Sequence, residues 1–92
     1  MYLILIYDIP LEDGGARVSR FIFKTCKKYL NHVQKSVFEG ELSQLQYMKL
    51  KNELSKFIRK DTDSIIAFHS NNEKWLKKDF LCLEFDATSQ FF

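Results

Sequence analysis

The chain opens on an unbroken apolar run, Met1-Tyr2-Leu3-Ile4-Leu5-Ile6-Tyr7, that finishes on a single carboxylate, Asp8, before the turn signal Ile9-Pro10. A short run rich in Ile, Leu and Tyr cannot span a bilayer and reads as a buried strand. Both of its parities are apolar: Tyr2, Ile4 and Ile6 on one, Leu3, Leu5 and Tyr7 on the other. Such a strand needs cover on both faces. Its acidic end has the form of a strand that delivers a site residue to its carboxyl terminus. Asp before a proline-containing turn also serves simply to cap the loop that follows, and both roles stay open here.

Ninety-two residues suffice for one domain, 1–92, with a single core. Nine Phe, four Tyr and one Trp are a heavy aromatic load for this length, so part of it is expected to face a partner. Cys26 and Cys82 show neither paired spacing nor a metal-ligand pattern, and no charged leader or cleavage site precedes the first strand. The expectation is a reducing, cytoplasmic setting with no membrane association.

The net charge of +2 conceals an uneven distribution. Ala16 to Leu30 carries five basic residues and no acidic one, so the remainder is net acidic. Arg17, Arg20, Lys24 and Lys27 recur at i, i+3, i+7 and i+10, one stripe on a helix, with Lys28 at its edge. Like charges at that spacing repel, which favours a polyanionic partner, although an ordinary solvated helix face has the same pattern.

The stripe shares its helix, about Ala16 to Leu30, with an apolar face of Val18, Phe21, Ile22, Cys26 and Tyr29. Asn31 is expected to terminate it in a left-handed conformation. His32 to Leu42 is β-prone, one bent strand or two short ones, with Gly40 marking a bulge or turn. Ser43 suits the N-cap of a second helix running to about Lys60, its core face formed by Tyr47, Leu50, Leu54, Phe57 and Ile58, with Asp61, Thr62 and Asp63 punctuating its end. Further strand signals cover Ser64 to His69 and Asp79 to Phe85, joined by a polar connection containing Trp75.

This order describes an α+β, ferredoxin-like βαββαβ sandwich with an extra C-terminal strand. Both helices then cover one face of the sheet, yet Ile65 and Ala67 alternate with Ile66 and Phe68 in the same two-sided manner as the first strand. The uncovered apolar face would match or exceed the roughly 300–600 Å² of a typical monomer's largest patch. A second sheet is its natural cover, and a homodimer supplies one by pairing the face with itself. With the strand end near the two-fold axis, Asp8 and its symmetry mate form two hard oxygen ligands suited to Mg²⁺ and to metal-dependent phosphodiester cleavage. In the absence of a cation the two carboxylates would repel.

Two separated segments, Tyr7-Asp8-Ile9 and Val33-Gln34-Lys35-Ser36-Val37-Phe38-Glu39-Gly40-Glu41-Leu42-Ser43, together with Arg17 at the helix start, resemble the second CRISPR-associated protein family. Members are small dimeric ferredoxin-like proteins that work with the CRISPR integrase in spacer acquisition. The resemblance implies that Asp8 is the catalytic, metal-coordinating residue contributed by both protomers, with Tyr7, Ser36 and Phe38 supporting it. Ser36 is implied to orient groups around the metal and Phe38 to pack near the dimer axis. Arg17 is implied to contact the nucleic-acid backbone or brace the site, while Arg20, Lys24 and Lys27 follow from the stripe alone. Asn31 stands where the family commonly has Gly.

Three functions compete. The first is a Mg²⁺-dependent endonuclease acting on RNA or DNA, for which one carboxylate per chain is a sparse ligand set and neither His32 nor His69 has general-base spacing. The second is a non-catalytic DNA-binding scaffold that bridges integrase dimers and relies on the basic stripe for phosphate contacts. The third, a single-strand RNA binder that reads bases on the sheet, lacks the Lys/Arg-Gly-Phe signature it requires.

Overall fold

The apolar run forms one of the two inner strands of the sheet. In the computed structural model, which describes residues 1–71, β1 spans Tyr2–Asp8, α1 Gly15–Tyr29, β2 Asn31–Gln34, β3 Val37–Glu41, α2 Gln44–Ser55 and β4 Ser64–Ser70. The strand order is β2-β3-β1-β4 and each neighbouring pair is antiparallel. This is the expected ferredoxin-like α+β arrangement. The expected strand Asp79 to Phe85, Trp75 and Cys82 lie outside the described residues.

Alternation along β1 divides its residues between two environments. Leu3, Leu5 and Tyr7 are buried beneath the helices in one cluster with Phe38, Leu42, Ile22, Cys26, Leu30, Leu50 and Leu54. The opposite parity faces away from the helices. There Ile4 pairs with Phe68 across β1 and β4, and Ile6 pairs with Ile66 and with Val37. Ile6, Ile66 and Phe68 are 38%, 50% and 52% exposed, so the predicted apolar open face is present in the protomer.

Local chemistry explains the helix ends. Gly14, in the left-handed region at φ 90°, starts α1, and Leu30 leaves it in an extended conformation while its N–H still bonds Cys26 O at 2.7 Å. Lys27 and Lys28 in the last turn complement the helix dipole. Ser43 caps α2 through a reciprocal box: Ser43 Oγ accepts from Gln46 N at 3.1 Å and Gln46 Oε1 accepts from Ser43 N at 2.8 Å.

Three local expectations need correction. α2 stops at Ser55, short of Lys60, because its last turn tightens: the N–H groups of Lys56 and Phe57 donate to carbonyls three residues back, Glu53 O at 3.3 Å and Leu54 O at 3.2 Å, and beyond them the Arg59 N–H donates to the Asp63 carboxylate at 2.8 Å. Phe57 consequently lies beyond the helix, 46% exposed, with its ring tilted against Phe21 of α1. Asn31 is not left-handed but begins β2; the positive φ falls on Lys35, at 41°, in the β2–β3 turn. Gly40 lies inside β3 opposite Leu3, and the bulge is instead at His32/Gln34 on β2. A Cβ at Gly40 would stand 3.1 Å from Leu30 Cδ2, so Gly admits the end of α1.

Phe38 is fully buried, with its ring beside those of Tyr7, Phe23 and His32. Phe38→Ala is expected to lower the unfolding free energy by about 3–5 kcal/mol, a large share of the roughly 5–15 kcal/mol of a typical domain. Urea denaturation followed by circular dichroism measures the loss.

Candidate metal centre and nucleic-acid surface

Asp8 ends β1 directly opposite Ser64, the first residue of β4. Tyr7 and Ile9, its neighbours, are buried on the helix side, whereas Asp8 is exposed on the parity of Ile4 and Ile6. The sheet therefore carries the carboxylate at the edge of its open apolar face. Asp8 has no side-chain hydrogen bond or ion pair among the described residues. Nor do the described residues contain a group of three or more His, Cys, Asp or Glu able to hold a metal ion. Glu39 and Glu41 lie opposite Ile4 and Tyr2, towards the other end of β1, and Glu41 pairs with the Met1 amine at 2.9 Å. Among the described residues, this strand end thus offers a cation the unengaged carboxylate of Asp8 with no acidic cluster around it.

The helix side of the sheet braces this strand end. Tyr7 stacks on Phe38 at 6.2 Å between ring centroids, and its N–H donates to Ser36 O at 3.1 Å. Burial pushes the Tyr7 phenol above its ordinary pKa, the nearby Cys26 adds to this, and a hydrogen bond with Ser19 opposes it. Tyr7 is therefore a neutral structural phenol at physiological pH. Ser36 is half-buried in the β2–β3 turn. Tyr7 and Phe38 lie on the face of the sheet away from the Asp8 carboxylate, so any support they give is through the strand. Cys26 beneath them is inert as a nucleophile, because burial raises its pKa to about 12.

Arg59 carries no conspicuous sequence signal, yet it organises the loops next to Asp8. Its Nη1 donates to the carbonyls of Glu12 at 3.0 Å and Asp13 at 3.1 Å, and its Nη2 donates to Pro10 O at 2.8 Å. Nη2 and Nε also engage the Asp63 carboxylate at 2.8–3.2 Å. Bonds from Arg59 hold the Asp63 carboxyl below the usual carboxylate range, against the opposing effect of burial. Gly15 permits the tight loop: a Cβ there would fall 1.6 Å from Pro10 O. Only glycine fits that approach.

All four residues of the basic stripe, Arg17, Arg20, Lys24 and Lys27, are exposed on the outer side of α1, and none has an ion pair among the described residues. Lys27 Nζ stands 5.9 Å from the centre of the Phe23 ring. Lys28 instead turns to α2, where Glu53 pairs with it and accepts a hydrogen bond from Tyr29. The structure does not unite the stripe with Asp8 on one surface, because helices and carboxylate occupy opposite sides of the sheet. His32 Nε2 bonds Lys35 O at 2.7 Å and His69 lies against Tyr47, so both histidines are engaged away from Asp8.

The carboxyls of Asp63 and Glu53 are both depressed in the fold. Their stabilisation is complete above the ordinary carboxylate pKa of about 4 and is lost as pH falls through their lower folded values. Asp63→Asn is expected to narrow the difference between melting temperatures at pH 7 and at about pH 3.5. Thermal melts across that range measure the change.

Residues 1–78 match the family described as CRISPR associated protein Cas2. A relative from Fusobacterium nucleatum, named CRISPR-associated endoribonuclease Cas2, is 52% identical over 99% of this chain and 86% of its own length. One from Moorella thermoacetica bearing the same family name is 40% identical, with 97% and 99% of the two chains covered. The crystal structure of Streptococcus pyogenes Cas2 superposes with a TM-score of 0.72 at 28% identity, covering 87% of this chain and 100% of that one. Family model, relatives and fold thus converge on one assignment: the chain belongs to the CRISPR-associated Cas2 family.

Proposed function

We propose that this protein is a homodimeric, metal-dependent endonuclease of CRISPR adaptation, cleaving RNA or DNA phosphodiesters in the cytoplasm and acting with the CRISPR integrase in spacer acquisition. The observation that carries this reading is the exposed, unengaged Asp8 at the border of an apolar sheet face. Pairing that face with a second copy buries Ile6, Ile66 and Phe68 and brings two Asp8 carboxylates towards each other. The endoribonuclease names of the relatives support the same activity.

Two carboxylates with waters and phosphate oxygens suit Mg²⁺, which takes one or two protein carboxylates at such sites. Bound there, Mg²⁺ supplies charge stabilisation at the scissile phosphate and acidifies coordinated water. Of the chain's own residues, Asp8 would hold the cation, while Arg17 in the first turn of α1 and Arg20, Lys24 and Lys27 farther along that helix offer positive charge to phosphates.

A second reading, a non-catalytic DNA-binding scaffold between integrase dimers, is favoured by one observation. The basic stripe lies on the opposite side of the sheet from Asp8, where it can hold a duplex without presenting it to that carboxylate.

Asp8→Asn, folded and compared with wild type on labelled single-stranded RNA and duplex DNA, is expected to cut on the order of 100-fold or more slowly with Mg²⁺, and chelator is expected to silence the wild type. Equal cutting by both proteins contradicts catalysis at Asp8; duplex binding with no cutting by either selects the scaffold. Replacing Lys24 or Lys27 by Ala is expected to flatten the log–log salt dependence of duplex binding by about 0.9 for each phosphate that the variant no longer neutralises. Fluorescence anisotropy across a salt series reads that slope.

A further inference from the structure

Asp8 and Ser64 form the last rung of the β1–β4 ladder, where strand ends ordinarily fray. Both chain segments leaving this rung run to the same guanidinium. Pro10, two residues beyond Asp8, gives its carbonyl to Arg59, and Asp63, immediately before Ser64, gives its carboxylate. The carbonyls of Glu12 and Asp13 fill the remaining positions of the fork. Among the described residues, no other side-chain hydrogen bond links the β1–α1 loop to the α2–β4 loop. Pro10 O also lies close to Gly15, where a Cβ would fall 1.6 Å from it.

A carboxylate that shares a cation with its symmetry mate must be held to about 0.5 Å, which a frayed strand end does not provide. We infer that Arg59 is a positioning residue for Asp8: by tying both segments at the last rung to one rigid fork, it fixes where the carboxylate stands and thereby sets cation affinity at the dimer site. The inference rests on Asp8 being a metal ligand. Arg suits the role because its planar donors reach three carbonyls and a carboxylate together, whereas Lys can keep the ion pair with Asp63 but cannot span the set.

The test compares wild type, Arg59→Lys, Arg59→Gln and Asp8→Asn by Mn²⁺ binding, read by electron paramagnetic resonance, and by amide hydrogen exchange. Arg59→Lys is expected to bind Mn²⁺ about 10–100-fold more weakly, as removal of partners behind a metal ligand typically does. Exchange at Asp8 and Ile9 is expected to quicken while Leu3 and Leu5 keep their protection. Arg59→Gln should show the larger effect on both readouts; if it unfolds, Arg59→Lys carries the test. Wild-type Mn²⁺ affinity in Arg59→Lys, with binding still abolished by Asp8→Asn, overturns the positioning role and leaves Asp8 as the ligand. Mn²⁺ binding unchanged in Asp8→Asn overturns the metal role of Asp8 and this inference with it.

Discussion

An apolar strand between β3 and β4, covered by helices on one face only, is the constraint on which the rest of this protein depends. Leu3, Leu5 and Tyr7 satisfy the helix side by packing against Ile22, Cys26, Leu50 and Leu54. Ile4, Ile6, Ile66 and Phe68 give the other side apolar surface that the described residues leave open. Burial of such surface contributes roughly 25 cal/mol per Å², so a self-complementary pairing of the two faces has a clear driving force. Asp8 is the last residue of the same strand on the same parity. Whatever covers the face therefore also determines what the carboxylate meets.

Much of the fold was legible because its signals are local. Two-sided hydrophobicity marked β1 and β4, and the 3.6-residue period of Ile22, Cys26 and Tyr29 marked α1. Ser43 marked the start of α2, where the structure adds the reciprocal partner Gln46. Errors arose where a tertiary contact overrode a local preference. Asn31 resembles a left-handed terminator, but the hydrogen bonds of β2 draw it into the sheet. Gly40 resembles a turn, but its missing side chain admits Leu30. α2 has no breaker before Lys60, yet its last turn tightens at Lys56 and Phe57, and the Arg59 N–H beyond it goes to Asp63.

The candidate site was legible at Asp8 and along α1 for the same reason: an acid closing an apolar strand and four cations on one helical face are patterns of side chains. The support around Asp8 was less visible. Arg59 bonds three backbone carbonyls, and carbonyls leave no trace in residue identity. In the sequence Arg59 read as part of the second helix and Asp63 as punctuation beyond its end, so the pair they form went unread. The separation of the basic stripe from Asp8 could be recognised only once both helices were known to share one side of the sheet. In the proposed dimer, that separation would place α1 with its basic stripe on the outside and Asp8 towards the middle.

The central claim, that two copies share one site at Asp8, is tested most directly by the stoichiometry of Mn²⁺ binding to wild type at chain concentrations well above the dissociation constant. Isothermal titration calorimetry is expected to give one Asp8-dependent ion for every two chains. One such ion per chain, or binding that persists undiminished in Asp8→Asn, would contradict a site shared across the two-fold axis.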